Sequence, residues 1–233
     1  MQTIGIIGAM EIEVTTLKER MQVEEIVTIA SMDFFKGTYH GKNVVIVRSG
    51  IGKVNAAICT QILADRFHAT AIINTGIAGS LQSSIDIGDI VISSDALQHD
   101  MDATGFGYPV GVIPQMETSD FTANAQLMEI ARNACAKVNP DIHTHVGRVV
   151  SGDQFISDND KKAFLKETFD GLCTEMEGAA IAQAAYLNHI PFVILRAISD
   201  KADGSAQMDY PEFEAAAARH SINLVDEMIK EMP

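Results

Sequence analysis

The sequence lacks several features that would each point to a particular class of protein. It has no tryptophan, only three cysteines among 233 residues, and 17 basic residues against 31 acidic ones. The formal net charge of −14 argues against the basic patches that nucleic acids and anionic membranes require of a partner. No apolar run reaches the length of a membrane span. We therefore expect a protein that binds neither nucleic acid nor a membrane.

The three cysteines lie far apart in apolar segments, at positions 59, 135 and 173. None belongs to a CxxC pair, and three thiols cannot all form disulfides within one chain. We therefore expect reduced thiols in the core of a cytoplasmic protein. A catalytic thiol is the weaker alternative, because no cysteine stands in a glycine-rich or basic setting. No cleavable targeting segment is expected either, since the first strand begins at once.

Short apolar strands alternate with amphipathic helices along the chain. Ile4–Ile7 and Ala71–Asn74 are typical of buried strands, Glu11–Met21 of a helix, and 98–120 of a long irregular segment. No linker or repeat interrupts the pattern, which predicts one α/β domain, residues 1–233, with a central mixed sheet flanked by helices. The other predicted helices are one that opens in SGIGKVNAA and runs through Asp65, followed by Thr122–Val138, Asp158–Lys166, Glu177–Asn188 and Pro211–Met232. The other predicted strands are Met32–Gly37, Asn43–Val47, Asp89–Ser93, Val146–Ser151 and Pro191–Ile198.

The generic ligand-binding motifs in the sequence are incomplete. SGIGKVNAA, residues 49–57, places two glycines between a strand and a helix but lacks the third glycine of a dinucleotide-binding loop. Lys53 is followed by valine, so the segment is not a nucleoside triphosphate loop either. His143 and His145 share one face of a strand, but no third metal ligand stands nearby. His99, Asp100 and Asp102 come closer to a set of metal ligands, but a solvated loop is the preferred interpretation of that segment.

Carboxylates stand where predicted strands end or helices begin. A helical wheel places Glu13 beside the apolar face of the first helix, where we expect it half-buried, and Glu11 on the polar side. Glu175 and Glu177 open an alanine-rich helix, and Asp200 ends a strand. Each alone is most simply a cap or a turn residue. Gathered at one edge of a sheet, they would raise a pKa, as suits a general acid.

The segment SGDQFIS, residues 151–157, adds an aromatic side chain to this edge. Phe155 follows a glycine turn at the end of a strand. An exposed ring there can stack on a flat heterocycle, while the neighbouring backbone of Ile156 binds the edge of that heterocycle. An ordinary core phenylalanine is the alternative interpretation.

Eight motifs occur in one order along nearly the whole chain: GIIGAMEIEV, SGIGKVNAA, NTGIAGSL, GDIVIS, HDMDATGFGY, SGDQFI, EMEGAAIAQ and RAISDKAD. Their combination resembles the bacterial 5′-methylthioadenosine/S-adenosylhomocysteine nucleosidases, members of the nucleoside phosphorylase/hydrolase superfamily. No single motif is specific, but the combination is. The resemblance implies hydrolysis of the N-glycosidic bond of methylthioadenosine, S-adenosylhomocysteine and 5′-deoxyadenosine, without metal or cofactor.

The resemblance also implies a role for individual residues. Asp200 is the acid that protonates adenine N7, Ser199 orients it, and Glu13 activates the attacking water. Glu177 accepts hydrogen bonds from the ribose hydroxyls and stabilises an oxocarbenium-like sugar, on which Met176 packs its thioether. The other substrate-binding residues that the resemblance implies are Met10, Ile51, Ile77, Ala78, Gly79, Phe155, Ile156, Glu175 and Tyr210.

A homodimer is implied as well. The apolar loop ATGFGYPVGVIP, residues 103–114, is expected to cross the interface and to complete the neighbouring subunit's pocket with Phe106 and Tyr108. Such a contact accounts for the apolar character of an otherwise irregular loop.

Three residues depart from the pattern of the family. Ile77 stands where many relatives have serine, which leaves hydrogen bonding near the site open. Ala103 replaces a more usual valine and Tyr210 a common phenylalanine, so the preference among thioether substrates is open too.

Three rival functions remain at this point. A phosphorylase of the same fold would require phosphate, and another purine nucleoside hydrolase would prefer a different substrate, such as futalosine. A nucleoside-binding sensor would bind without releasing adenine. Glu13 argues against phosphate, because a carboxylate at the first strand-to-helix corner repels that anion and favours water activation.

Overall fold

The computed structural model describes residues 2–201 and 206–233, without the side chains of 206–212. The strands are β1 (Thr3–Gly8), β2 (Gln22–Ile29), β3 (Met32–Tyr39), β4 (Lys42–Arg48), β5 (Ala71–Ser80), β6 (Ile90–Gln98), β7 (Asp120–Thr122), β8 (Thr144–Ser151), β9 (Gly171–Glu175) and β10 (Phe192–Asp200). The α-helices are α1 (Glu11–Arg20), α2 (Lys53–Phe67), α3 (Ala125–Val138), α4 (Asn159–Phe169), α5 (Gly178–Leu187) and α6 (Ala206–Glu231).

Within the described residues, the strands form one mixed sheet. Its order is β10-β6-β8-β9-β5-β1-β4-β3-β2, and β7 pairs with β6. β10 also pairs with β5, so β5, β9, β8, β6 and β10 close into a ring. The pairs β1–β4, β1–β5, β5–β10, β6–β8 and β8–β9 are parallel, and the remaining pairs are antiparallel. The expected α/β class is confirmed; that residues 1–233 form one domain stays a prediction.

Helices cover both faces of the sheet, which explains why its central strands are apolar runs. In β4, Val44 and Ile46 face one core cluster, which contains residues of α1, α3 and α6. Val45 and Val47 face a second cluster, which contains residues of α2 and α5. The three cysteines are free and buried. No helix in the described parts of the chain is long and apolar enough to cross a membrane.

Several boundaries differ from the predictions because tertiary contacts override the local pattern. β2 was missed because it is mostly exposed and polar, and its pairing partner is β3. β9 was missed because its sequence, GLCTE, contains only two consecutive apolar residues and no regular alternation. Helix α3 begins at Ala125 behind its cap Asn124, since Thr122 belongs to β7. Helix α6 begins at Ala206, before the predicted Pro211.

β5 continues six residues beyond the predicted Asn74, through a sequence that is typical of a turn. Its glycines are explained by close contacts with carboxylates. A Cβ atom at Gly76 would lie 2.7 Å from Glu13 Oε1, and one at Gly79 would lie 2.8 Å from Asp200 Oδ2. Both glycines are therefore required for packing of the site rather than for a reversal of the chain.

Candidate active site

A cavity lies at the carboxyl ends of the parallel strands, where ligands bind in folds of this class. Loops after β1, β4 and β8 contribute to it, together with the last residues of β5, β9 and β10. The lining residues are Ala9, Met10, Glu13, Ile51, Ile77, Ala78, Gly79, Gln154, Phe155, Ile156, Thr174, Glu175, Met176, Glu177, Ser199 and Asp200.

Glu13 is buried rather than half-buried, with only 4% of its surface exposed. Its Oε2 atom accepts hydrogen bonds from the backbone N–H groups of Ala9, at 2.7 Å, and Met10, at 2.9 Å. Its Oε1 atom accepts one from the N–H of Ile77 at 3.3 Å. These donors compensate for the burial of the carboxylate. A helical wheel shows which face of a helix a residue lies on, but it does not show backbone donors of this kind. Burial raises the pKa of Glu13, although the backbone donors and the charge of Arg196 oppose the rise.

Glu177 is the N-cap residue of α5 and lines the same cavity as Glu13. Its Oε1 atom accepts a hydrogen bond from the N–H of Gly52 at 2.8 Å, which ties the start of α2 to the start of α5. Burial, followed by the neighbouring Glu175 carboxylate, raises the pKa of Glu177 to about 8. The group is therefore close to its titration point near neutral pH.

Glu175 lines the cavity, but its carboxylate is engaged by the protein itself. Oε2 accepts hydrogen bonds from the N–H groups of Glu177, at 3.1 Å, and Gly178, at 2.7 Å. The Ser151 hydroxyl and the Arg196 guanidinium donate to the same carboxylate. Its expected contact with substrate stays a prediction, and its observed contacts fix the beginning of α5.

Arg196 is the main functional candidate that the sequence reasoning missed. It is 2% exposed, and its guanidinium binds Glu175 and the side chain of Asn74. Burial opposes its charge, but the carboxylates of Glu175, Glu13 and Glu177 outweigh burial and raise its pKa. The available signal was a lone arginine within the apolar run of β10, because a buried charge requires a partner.

Asp200 lies at the end of β10, after a bulge in its pairing with β5. Ser199 Oγ donates to Asp200 Oδ1 at 3.0 Å, and Lys162 Nζ donates to Oδ2 at 3.2 Å. The side chains of Lys162 and Asp200 are each 3% exposed. Lys162 was not among the predicted site residues.

Phe155 extends the cavity towards solvent, with 55% of its surface exposed, while the adjacent Ile156 is buried. Both line the cavity together with Met176. Ala9, Gln154 and Thr174 also line it and were not predicted. Each of the three directly precedes a predicted site residue, namely Met10, Phe155 and Glu175.

Three predicted residues are not brought to the cavity by the described structure. Phe106 and Tyr108 are 87% and 37% exposed and do not line the cavity of their own chain. Their expected place is the neighbouring subunit's pocket, which stays a prediction. Tyr210 belongs to α6, but its side chain lies outside the described residues.

Four carboxylates, Glu13, Glu175, Glu177 and Asp200, thus line one cavity at the ends of the strands. Residues 3–230 match the model of the phosphorylase superfamily, and the chain belongs to that superfamily. The 5′-methylthioadenosine/S-adenosylhomocysteine nucleosidase of Staphylococcus saprophyticus is 46% identical over 229 residues, which cover 97% of this chain and 99% of that protein. The chain is a member of this nucleosidase family, as its motifs predicted.

Solved structures agree with this assignment. The Neisseria meningitidis nucleosidase of the same name, in complex with methylthio-immucillin-A, is 38% identical, with a TM-score of 0.94 and full coverage of both chains. The futalosine hydrolase of Helicobacter pylori is 32% identical, with a TM-score of 0.93 and coverage of 99% and 98%. Similarity of fold therefore does not by itself separate these two substrates.

Proposed function

We propose that the protein is an N-glycosyl hydrolase that releases adenine from 5′-methylthioadenosine, S-adenosylhomocysteine and 5′-deoxyadenosine. The observation that carries this proposal is that Glu13, Glu177 and Asp200, which come from three distant segments, line one cavity. Separated carboxylates can act on opposite sides of a glycosidic bond, one as acid and another as base. The substrate class comes from the names of the similar nucleosidases.

The leaving group is the purine, and Asp200 is its general acid. Protonation of adenine at N7 makes the base a neutral leaving group, so the bond to the sugar breaks more easily. The Ser199 hydroxyl holds one oxygen of Asp200 and leaves the carboxyl group facing the cavity. Phe155 stacks on the purine, and its exposure leaves a ring face available for that contact.

The attacking water is activated by Glu13. Burial raises the pKa of this carboxylate, which makes it a better proton acceptor than a solvated glutamate. Glu177 accepts hydrogen bonds from the ribose hydroxyls, and these donors favour its ionised form. Substrate binding should therefore lower the pKa of Glu177, which burial raises to about 8 in the free protein. The ionised carboxylate then stabilises the developing positive charge on the sugar.

Hydrolysis is favoured over phosphorolysis because carboxylates of the protein itself bind the backbone N–H groups at three helix N-termini. The N–H groups at the start of α1 bind Glu13, and those at the start of α5 bind Glu175. At the start of α2, Gly52 donates to Glu177, and Lys53 donates to Asp153 at 2.8 Å. Helix starts are common phosphate sites, but here internal carboxylates occupy the donors and repel an anion.

A homodimer completes the site in this proposal. Ile51 lines the cavity, and the exposed side chains of Val54 and Ile58 follow it on one face of α2. Phe106, in the loop 103–114, is 87% exposed. Apolar surface of this kind is typical of an interface between subunits. Sedimentation analysis should find a dimer, and a fully active monomer would contradict this part of the proposal.

The cellular location belongs to the proposal as well. Three free, buried thiols are typical of a protein that works in a reducing compartment. We therefore propose a cytoplasmic enzyme.

Adenine release in phosphate-free buffer tests the reaction directly. We expect turnover of methylthioadenosine, S-adenosylhomocysteine and 5′-deoxyadenosine without phosphate, and no stimulation when phosphate is added. Turnover that appears only with phosphate, together with ribose 1-phosphate as product, would overturn the assignment. Binding without adenine release would indicate the nucleoside-binding sensor.

Futalosine hydrolysis is the second candidate, because a futalosine hydrolase has nearly the same fold. Parallel measurements of kcat/KM for futalosine and methylthioadenosine decide between the two. We expect methylthioadenosine to be the better substrate.

A further inference from the structure

Lys162 occupies a position where the pattern of α4 calls for an apolar residue. The helix buries Lys162, Leu165 and Phe169, which follow one another at helical spacing. Leu165 and Phe169 pack in an apolar cluster that also contains Ile156 of the cavity. An ammonium group in such surroundings is costly unless it is paired and hydrogen-bonded. A charged residue therefore stands here in place of the apolar side chain that packing alone would favour.

The partners of Lys162 are two groups at the end of β10. Its Nζ atom donates to Asp200 Oδ2 at 3.2 Å and to the backbone carbonyl of Lys201 at 2.5 Å. The other carboxylate oxygen, Oδ1, accepts the Ser199 hydroxyl. The two oxygens of Asp200 are thus held by donors from two different elements, α4 and β10.

We propose that Lys162 is a positioning residue for Asp200, which fixes the orientation of the general acid relative to the purine. The inference rests on the proposed function. It is supported by the short stretch of chain between the cavity and Lys162. Phe155 and Ile156 of the cavity lead directly into Asp158, the N-cap of α4. The same short segment therefore presents the stacking ring and, one turn into the helix, the lysine that holds the acid.

Lys162 also places a positive charge beside the acid. The other titratable groups at this end of the cavity, among the residues that the structure describes, include the Cys173 thiol of β9, the Arg196 guanidinium, the Lys201 side chain and the Glu13, Glu175 and Glu177 carboxylates. Burial raises the pKa of Cys173, so this thiol stays neutral. Lys162 is a cation in direct contact with the Asp200 carboxylate, so its removal should let the carboxyl group keep its proton to higher pH.

The test compares Lys162→Met with Lys166→Met, which removes an exposed lysine from the same helix. For methylthioadenosine we expect kcat to fall about tenfold to a hundredfold in Lys162→Met, part of what a general acid contributes, with little change in KM. The alkaline limb of the pH–rate profile should move to higher pH. Lys162→Arg, which keeps the cation, should retain the wild-type limb and most of the activity. Lys166→Met should behave as the wild type.

A double-mutant cycle separates positioning from a general loss of structure. In the Asp200→Asn background, Lys162→Met should cause little further loss, because no acid remains to be positioned. If Lys162→Met does not fold, Lys162→Gln is measured in its place with the same expectations. An unchanged kcat and pH profile would overturn the inference, as would equal losses in both backgrounds. If Asp200→Asn is itself as active as the wild type, Asp200 is not the general acid. That outcome contradicts the proposed function rather than the inference about Lys162 alone.

Discussion

The two sides of the cavity hold their carboxylates by different means. On the side that we propose binds the sugar, Glu13 and Glu177 accept hydrogen bonds from backbone N–H groups. On the side that we propose binds the purine, the partners of Asp200 include the side chains of Ser199 and Lys162. Backbone donors are fixed by the sheet and the helix starts, whereas side-chain donors can adjust. The comparison indicates a rigid half that prepares water and sugar, and an adjustable half that receives the base.

Exposure follows the same division. Glu13 is 4% exposed, whereas Phe155 is 55% exposed at the outer part of the purine side. A proton acceptor benefits from exclusion of bulk water, because burial raises its pKa. A stacking ring has to remain accessible until the base arrives. The rigid half should therefore tolerate changes less well than the adjustable half.

The largest effect is expected for Glu13→Gln, on the rigid half. We expect kcat for adenine release to fall about 10²–10⁴-fold, the range of a lost general base. Both oxygens of Glu13 accept backbone N–H groups, so the amide NH₂ of glutamine must face a donor. The mismatch should lower the free energy of unfolding by about 1–3 kcal/mol. Thermal melting and steady-state kinetics measure the two effects.

Glu11→Gln is the matched control, because Glu11 lies in the same helix and its side chain is 56% exposed. It should leave kcat unchanged and the melting temperature nearly so. Wild-type turnover by Glu13→Gln would remove Glu13 from the mechanism.

Asp200→Asn tests the adjustable half and should cost about 10²–10³-fold in kcat, because asparagine has no proton of suitable acidity to donate. An asparagine can place its oxygen towards Lys162 and its NH₂ towards the Ser199 hydroxyl, so we expect a folded protein that still binds nucleoside. Circular dichroism and equilibrium binding check this. Asp65→Asn, at an exposed position of α2, serves as control. A rate near that of the wild type would reassign the acid.

Gly76→Ala and Gly79→Ala compare the two halves at matched positions of β5. Each new Cβ would come within 3 Å of a carboxylate oxygen, of Glu13 in the first case and of Asp200 in the second. Both should lower kcat. Gly76→Ala should also lower the free energy of unfolding by about 1–3 kcal/mol, because Glu13 cannot move without breaking backbone hydrogen bonds. Gly79→Ala should cost less, because Asp200 and its side-chain partners can shift together. Urea unfolding measures the difference, and equal costs would contradict it.

The sequence predicted the carboxylates of both halves. Glu13, Glu177 and Asp200 were recognisable because each stands at the end of an apolar strand or at the start of a helix. The α/β class followed from the alternation of such elements. Where a residue acts through local backbone, as Glu13 does at its own helix start, the local sequence contains most of the information.

Arg196 and Lys162 show what local sequence does not contain. Each interrupts an apolar pattern, which indicates a buried charge but not its partner. The partners, Glu175 and Asp200, are distant in the chain and are known only once the strands are paired. β2 escaped prediction for a related reason, since its polar residues become a strand only through pairing with β3.

The last expected effect concerns stability rather than turnover, and it is the pH dependence of stability that Glu177 introduces. Burial raises its pKa in the folded protein from 4.5 to about 8. Between these values the folded state keeps a proton that the unfolded state has released, so stability is full below the lower value and is lost as pH rises towards 8. Each pH unit in this window weakens folding by up to about 1.4 kcal/mol.

Glu177→Gln keeps an oxygen for the N–H of Gly52 but has no proton to lose. Chemical unfolding at pH 5, 6, 7 and 8 should therefore show a smaller loss of stability with rising pH in this variant than in the wild type. A slope remains, because burial also raises the pKa of Glu13. Parallel slopes in the two proteins would mean that Glu177 is already ionised in the folded state, and that the rigid half carries two negative charges before any ribose is bound.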